Sequence, residues 1–98
     1  MILSRNHIQR VIREYFSGKP VKRVWLFGSY AGNEAKEDSD IDVLVDLEER
    51  SKIGLRYLAW HEDIERLVNK RVQVVSTNAI SEYMRPFIEA DKWLLYEK

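Results

Sequence analysis

Hydrophobic positions near the start of the chain recur with the period of a helix. Ile8, Val11, Ile12 and Tyr15 fall at i, i+3, i+4 and i+7 and form one apolar stripe. Ser4 or Asn6 can cap this helix, and Gly18 followed by Pro20 ends it. The pattern then shortens to that of a strand. Val21 to Phe27 predicts a buried strand running straight into Gly28-Ser29, and residues 30–38 read as a loop or short helix. Asp40 to Leu47 predicts a second strand, with Ile41, Val43 and Val45 on one face and Asp40, Asp42, Leu44 and Asp46 on the other. A longer helix is expected over Leu55–Asn69, with Tyr57, Trp60, Ile64, Leu67 and Val68 as its stripe and Asn69 as a left-handed end. Arg71–Ser76 predicts a third strand. Thr77 or Asn78 can cap a fourth helix that Pro86 interrupts or kinks, and Trp93–Tyr96 a short last strand. This order implies an α+β fold, a sheet of three to four strands packed with helices.

Ninety-eight residues fit one domain, residues 1–98, with a modest core. Eleven aromatic residues and many aliphatic ones exclude a disordered chain. No run approaches the ~20 apolar residues of a membrane span, and the first residues lack the apolar core of a signal peptide. Cysteine is absent, which excludes disulfides and thiolate metal sites. These features lead us to expect a cytoplasmic protein. The 16 basic and 16 acidic residues balance, but unevenly along the chain. Residues 1–33 hold six Lys/Arg against one acid, whereas residues 34–49 hold one Lys against eight acids. That balance argues against a broad nucleic-acid-binding surface, and the acidic block suits a cation site.

The chemistry concentrates in Gly28-Ser29, ten residues, then Asp40-Ile41-Asp42. Strand alternation would put both carboxylates on one face with Cα atoms about 6.6 Å apart, within reach of one hard cation or a close pair. Mg²⁺ takes one or two protein carboxylates and completes its shell with phosphate oxygens and water. Gly28 lets the backbone approach a phosphate, Ser29 presents a hydroxyl, and the amides after it can form an anion-binding turn. A metal at one strand end beside a triphosphate at its neighbour suits nucleotidyl transfer, in which a nucleophile displaces pyrophosphate from the α-phosphorus.

Leu26-Phe27-Gly28-Ser29-Tyr30-Ala31 followed by Ser39-Asp40-Ile41-Asp42-Val43-Leu44-Val45 resembles the minimal nucleotidyltransferases of the polymerase-beta superfamily. Many of these are antitoxins paired with a HEPN-domain ribonuclease toxin. The resemblance implies the nucleotidyltransferase fold, with a small mixed sheet, and extends over most of the chain. It implies that Gly28 and Ser29 bind the triphosphate and that Asp40 and Asp42 are the catalytic pair holding Mg²⁺ or Mn²⁺. It implies AMP transfer from ATP to a hydroxyl, such as a tyrosine, on a helical HEPN-type partner. Self-association is the expectation where the partner is absent. Two positions depart from the family pattern. Gly32-Asn33 stand where Arg-Gly is common, leaving Lys36 as the candidate basic contact, and Gln73 stands where a third carboxylate is expected. Gln73 cannot act as a base, and its neutral carbonyl is a poorer cation ligand. The alternative reading is therefore a catalytically degenerate antitoxin that acts by forming a complex.

Other residues receive plainer readings. His61-Glu62-Asp63-Ile64-Glu65 begins like a zinc-protease motif but has Glu65 in place of the second His, so an exposed helix face is expected. His7 reads as surface and Trp25 as core. Trp60, with Tyr57, fits core or interface equally, and Trp93 could stack a base. Tyr30 fits packing or the wall of a nucleotide pocket. Asp46 shares the face of Asp42 but lies further along the strand.

Overall fold

A computed structural model describes residues 2–48 and 59–98. Helix α1 spans Arg5–Phe16, and the Ser4 side chain caps it by accepting the His7 N–H. Strands β1 (Val21–Phe27) and β2 (Ile41–Leu47) follow, then α2 (Trp60–Val68), which ends at Asn69 with φ 55°. Strand β3 (Val72–Ser76) leads into a short 3₁₀ turn at Thr77–Ala79, then α3 (Arg85–Asp91) and β4 (Trp93–Glu97).

The sheet order is β3-β2-β1-β4. β1 runs antiparallel to both β2 and β4, whereas β2 and β3 are parallel, so the sheet is mixed. A parallel pair needs a crossover connection, and α2 lies in it. Ile8, Ile12 and Phe16 of α1 and Trp60, Ile64 and Val68 of α2 share one core with Val24, Leu26, Ile41, Val43, Val45 and Leu95 of the sheet. Phe16 and Trp60 meet edge to face with ring centres 5.3 Å apart, joining the two helices. The opposite sheet face carries Trp25, Phe27, Asp42, Leu44 and Asp46, and of these Leu44 is fully buried.

Most predicted elements occur where the pattern puts them, and β1 has the expected bounds. Residues 55–58 of the long predicted helix, including Tyr57, lie outside the described residues. The predicted fourth helix is corrected. Ser76, rather than Thr77 or Asn78, accepts the Asn78 N–H and caps only the 3₁₀ turn. Pro86 sits in the first turn of a separate helix and starts it, because a proline there gives up an N–H that has no helical partner. No helix among the described residues is long and apolar enough to cross a membrane.

Candidate active site

β1 delivers the chain directly into a tight turn. Gly28 has φ 75°, a left-handed conformation that favours glycine. The Gly32 N–H donates to the Gly28 carbonyl (3.1 Å) and the Glu34 N–H to the Ser29 carbonyl (2.8 Å). Asn33, with φ 59°, completes the reversal. Gly28 is required by space as well as by conformation, since a Cβ there would lie 2.4 Å from Asp42 Oδ2. Backbone and carboxylate thus meet with no room for a side chain between them.

Strand register explains the meeting. Asp42 pairs with Phe27 of β1 on one side and with Gln73 of β3 on the other. The three strand ends open into a cleft of ≈ 510 Å³. Gly28, Ser29, Asp42 and Gln73 line its floor and one wall, Glu34 reaches it from the turn, and Met84, Phe87, Ile88 and Asp91 of the α3 segment form the far side. No Lys, Arg or His is among these lining residues.

Burial, and secondly the charge of Asp40, push the Asp42 carboxyl up to about 6. Asp40 precedes β2 and lines an adjoining cavity with Lys70 and Arg71 rather than the cleft itself. The two carboxylates are near enough to interact, yet they open on different sides of the strand end. Among the described residues no cluster of three or more His, Cys, Asp or Glu has metal-binding geometry. Asp42, the Ser29 hydroxyl and the Gln73 side-chain carbonyl bring oxygen donors to the cleft, and Asp40 stands at its border. Such a set fits a hard cation that keeps part of its shell for phosphate and water. A divalent cation would also relieve the crowding that raises Asp42.

Several candidates fall elsewhere. Lys36 is exposed and does not line the cleft; its N–H donates to Ser39 Oγ. Asp46 is taken up by Arg23 (3.6 Å) and by the Thr77 hydroxyl (3.3 Å). Tyr30 is a core residue, 2% exposed, so packing is the outcome for it. Trp60 is core too, Trp25 is half-buried under Lys92, and Trp93 lies beneath the Arg5 guanidinium. His61 is 3.8 Å from Glu65, whose other oxygen accepts the Val72 N–H, so this motif fastens β3 to α2. The residues that sequence reasoning misses are Glu34, Met84, Phe87 and Asp91. Glu34 belongs to the acidic block of residues 34–49, and the signal for the α3 residues is the set of large apolar side chains around Pro86.

The sequence pattern of the family described as polymerase beta nucleotidyltransferase matches residues 8–98. The chain belongs to that family. It is 39% identical over 72 residues to the protein adenylyltransferase MntA of Thermococcus cleftensis, covering 74% of this chain and 69% of the relative. A crystal structure of a toxin-antitoxin with AMP-PNP shares the fold, with TM-score 0.74 and 18% identity over 92% of this chain and 73% of that one. A chain from the structure of a tri-AMPylated Shewanella oneidensis HEPN toxin in complex with MNT antitoxin matches with TM-score 0.65 and 17% identity, over 95% of this chain and 69% of that one.

Proposed function

We propose that this chain is a divalent-metal-dependent adenylyltransferase that moves AMP from ATP to a hydroxyl on a HEPN-type partner protein. One observation carries the reading. The glycine turn and the Asp42 carboxylate are pressed together at the mouth of a cleft whose described lining residues include carboxylates and no basic group. Among those described residues the charges that a triphosphate meets are of its own sign. With a cation between Asp42, Asp40 and the phosphates, the same geometry becomes attractive. The adenylyltransferase name of the 39% identical relative supports the reaction class, and the AMPylated toxin of the structural neighbour supports the acceptor class.

In this reading the turn amides after Gly28 and the Ser29 hydroxyl orient the triphosphate, and Asp40 and Asp42 hold Mg²⁺. When bound, the cation neutralises phosphate oxygens and makes the acceptor hydroxyl more acidic. The acceptor hydroxyl gives up its proton to water as its oxygen forms the bond to the α-phosphorus. The bond broken is that between the α-phosphorus and the oxygen bridging to the β-phosphate, so pyrophosphate leaves with the electron pair. On the strand beside Asp42 stands neutral Gln73, where the family pattern has a third carboxylate, while Glu34 and Asp91 line the cleft from the turn and from α3. That observation favours the second reading, an antitoxin that binds its partner without turnover.

The two readings part on the leaving group. Purified chain and its co-purifying partner, given Mg-ATP, should release pyrophosphate in step with AMP transfer. The double variant Asp40→Asn, Asp42→Asn should release none. Release of orthophosphate, or pyrophosphate release that survives the double variant, contradicts the proposal.

A further inference from the structure

The α3 wall of the cleft has a composition that neither phosphate nor metal binding requires. Met84 and Phe87 line the cleft while remaining 46% and 61% exposed. Their helix is held in place by Ile88, which is 7% exposed, and Pro86 fixes its first turn. The Phe87 ring lines the cleft while staying largely open to solvent. Tyr83 backs it with ring centres 5.9 Å apart and a tilt of 50°. The other aromatic lining the cleft, Phe27, is half-buried beside Gly28 and belongs to the floor. Among the described lining residues, Phe87 is the exposed aromatic face, and it stands on the α3 side of the cleft.

A nucleoside triphosphate has one anionic end and one flat π-faced end, and this cleft has a matching division. Its turn-and-carboxylate end suits phosphates and a cation, whereas its α3 end offers an aromatic ring, a polarizable thioether and an aliphatic neighbour, with the Asp91 carboxylate beside them. We propose that Phe87, flanked by Met84, is the stacking platform for the base of the bound nucleotide, and that the platform favours purines. This rests on the reading that the Gly28–Ser29 turn holds the triphosphate. Stacking accepts any base but scales with the overlapping ring area, so a two-ring base gains more than a one-ring base. Met84, Phe87 and Ile88 bring surface rather than hydrogen-bonding groups.

Calorimetric titration of the full chain in Mg²⁺ tests this with two probes, a non-hydrolysable ATP analogue and inorganic tripolyphosphate. The wild type should bind the ATP analogue more tightly than tripolyphosphate and more tightly than the matching UTP analogue. Phe87→Ala should weaken the ATP analogue roughly tenfold, the scale of one base–aromatic stack, and leave tripolyphosphate affinity unchanged. Phe87→Trp should keep the nucleotide affinity. An ATP affinity untouched by Phe87→Ala, as expected of a ring that instead contacts a protein partner, overturns the proposal. So does an equal loss for both probes. Wild-type protein that binds tripolyphosphate and the ATP analogue equally overturns the base platform and spares the phosphate turn; binding of neither overturns both.

Discussion

At Asp42, two demands pull in opposite directions. The fold buries this carboxylate against Gly28 and beside Asp40, which raises its pKa from 3.8 to about 6. Metal binding needs the same group ionised. The consequence for stability has a definite sign. Because the folded-state pKa lies above the unfolded one, the folded state holds the proton more tightly. This group's stabilising contribution is complete below about 3.8 and is lost as pH rises through about 6. Asp42→Asn removes the ionisation while keeping the shape. In EDTA, the variant should melt higher than wild type at pH 7–8, and the difference should vanish near pH 4. The gain will be modest, since the group keeps contact with solvent. Melting curves for both proteins across that range check it; parallel pH profiles would mean Asp42 is not crowded. Gly28, Ser29 and Asp42 were recognisable from sequence because each sits where a strand begins or ends. Asp40 was recognisable as a residue but not in its placement. Alternation assumes a strand, and the strand starts one residue later, at Ile41.

At the scale of elements, the outer strands of the sheet are guarded by side chains of the helices. On one side the Leu95 carbonyl of β4 accepts from Arg13 Nε (3.1 Å) and Gln9 Nε2 (3.4 Å) of α1. On the other, the Val72 N–H at the start of β3 donates to Glu65 Oε2 of α2 at 2.9 Å. These contacts satisfy edge groups that would otherwise invite another strand. Glu65→Ala leaves the part-buried Val72 N–H without its acceptor and should cost about 1–2 kcal/mol in urea unfolding, whereas Glu65→Gln keeps a carbonyl there and should cost less. Equal losses would assign the effect to the charge or to His61 instead. Periodicity identified α1, β1, β2 and β4 because each is long or apolar enough to show its repeat. α3 has seven residues, and a proline read as a breaker is equally good as a first-turn residue. The far wall of the cleft was therefore illegible: Glu34, Phe87 and Asp91 come from a turn and a short helix that carry no pattern of their own.

Across the whole molecule, charge and shape divide the work. Zero net charge conceals an acidic stretch that the fold gathers around the ends of β1 and β2, with Glu34 and Asp42 in the cleft and Asp40 at its border. The domain is small, with a radius of gyration of 12.7 Å, and its cleft is open at the α3 rim. A nucleotide occupying ≈ 510 Å³ would leave little enclosed space for a second substrate, which favours an acceptor carried on the surface of another protein. The central claim is that this cleft transfers an adenylyl group to such a partner. Intact-mass measurement of both chains, after the purified complex is incubated with Mg-ATP, tests it most directly. Added adenylyl groups are expected on the partner chain, and none in EDTA or in the Asp40→Asn, Asp42→Asn variant. A partner whose mass stays unchanged in a complex that binds Mg-ATP would contradict it and identify the chain as an antitoxin that works by binding alone.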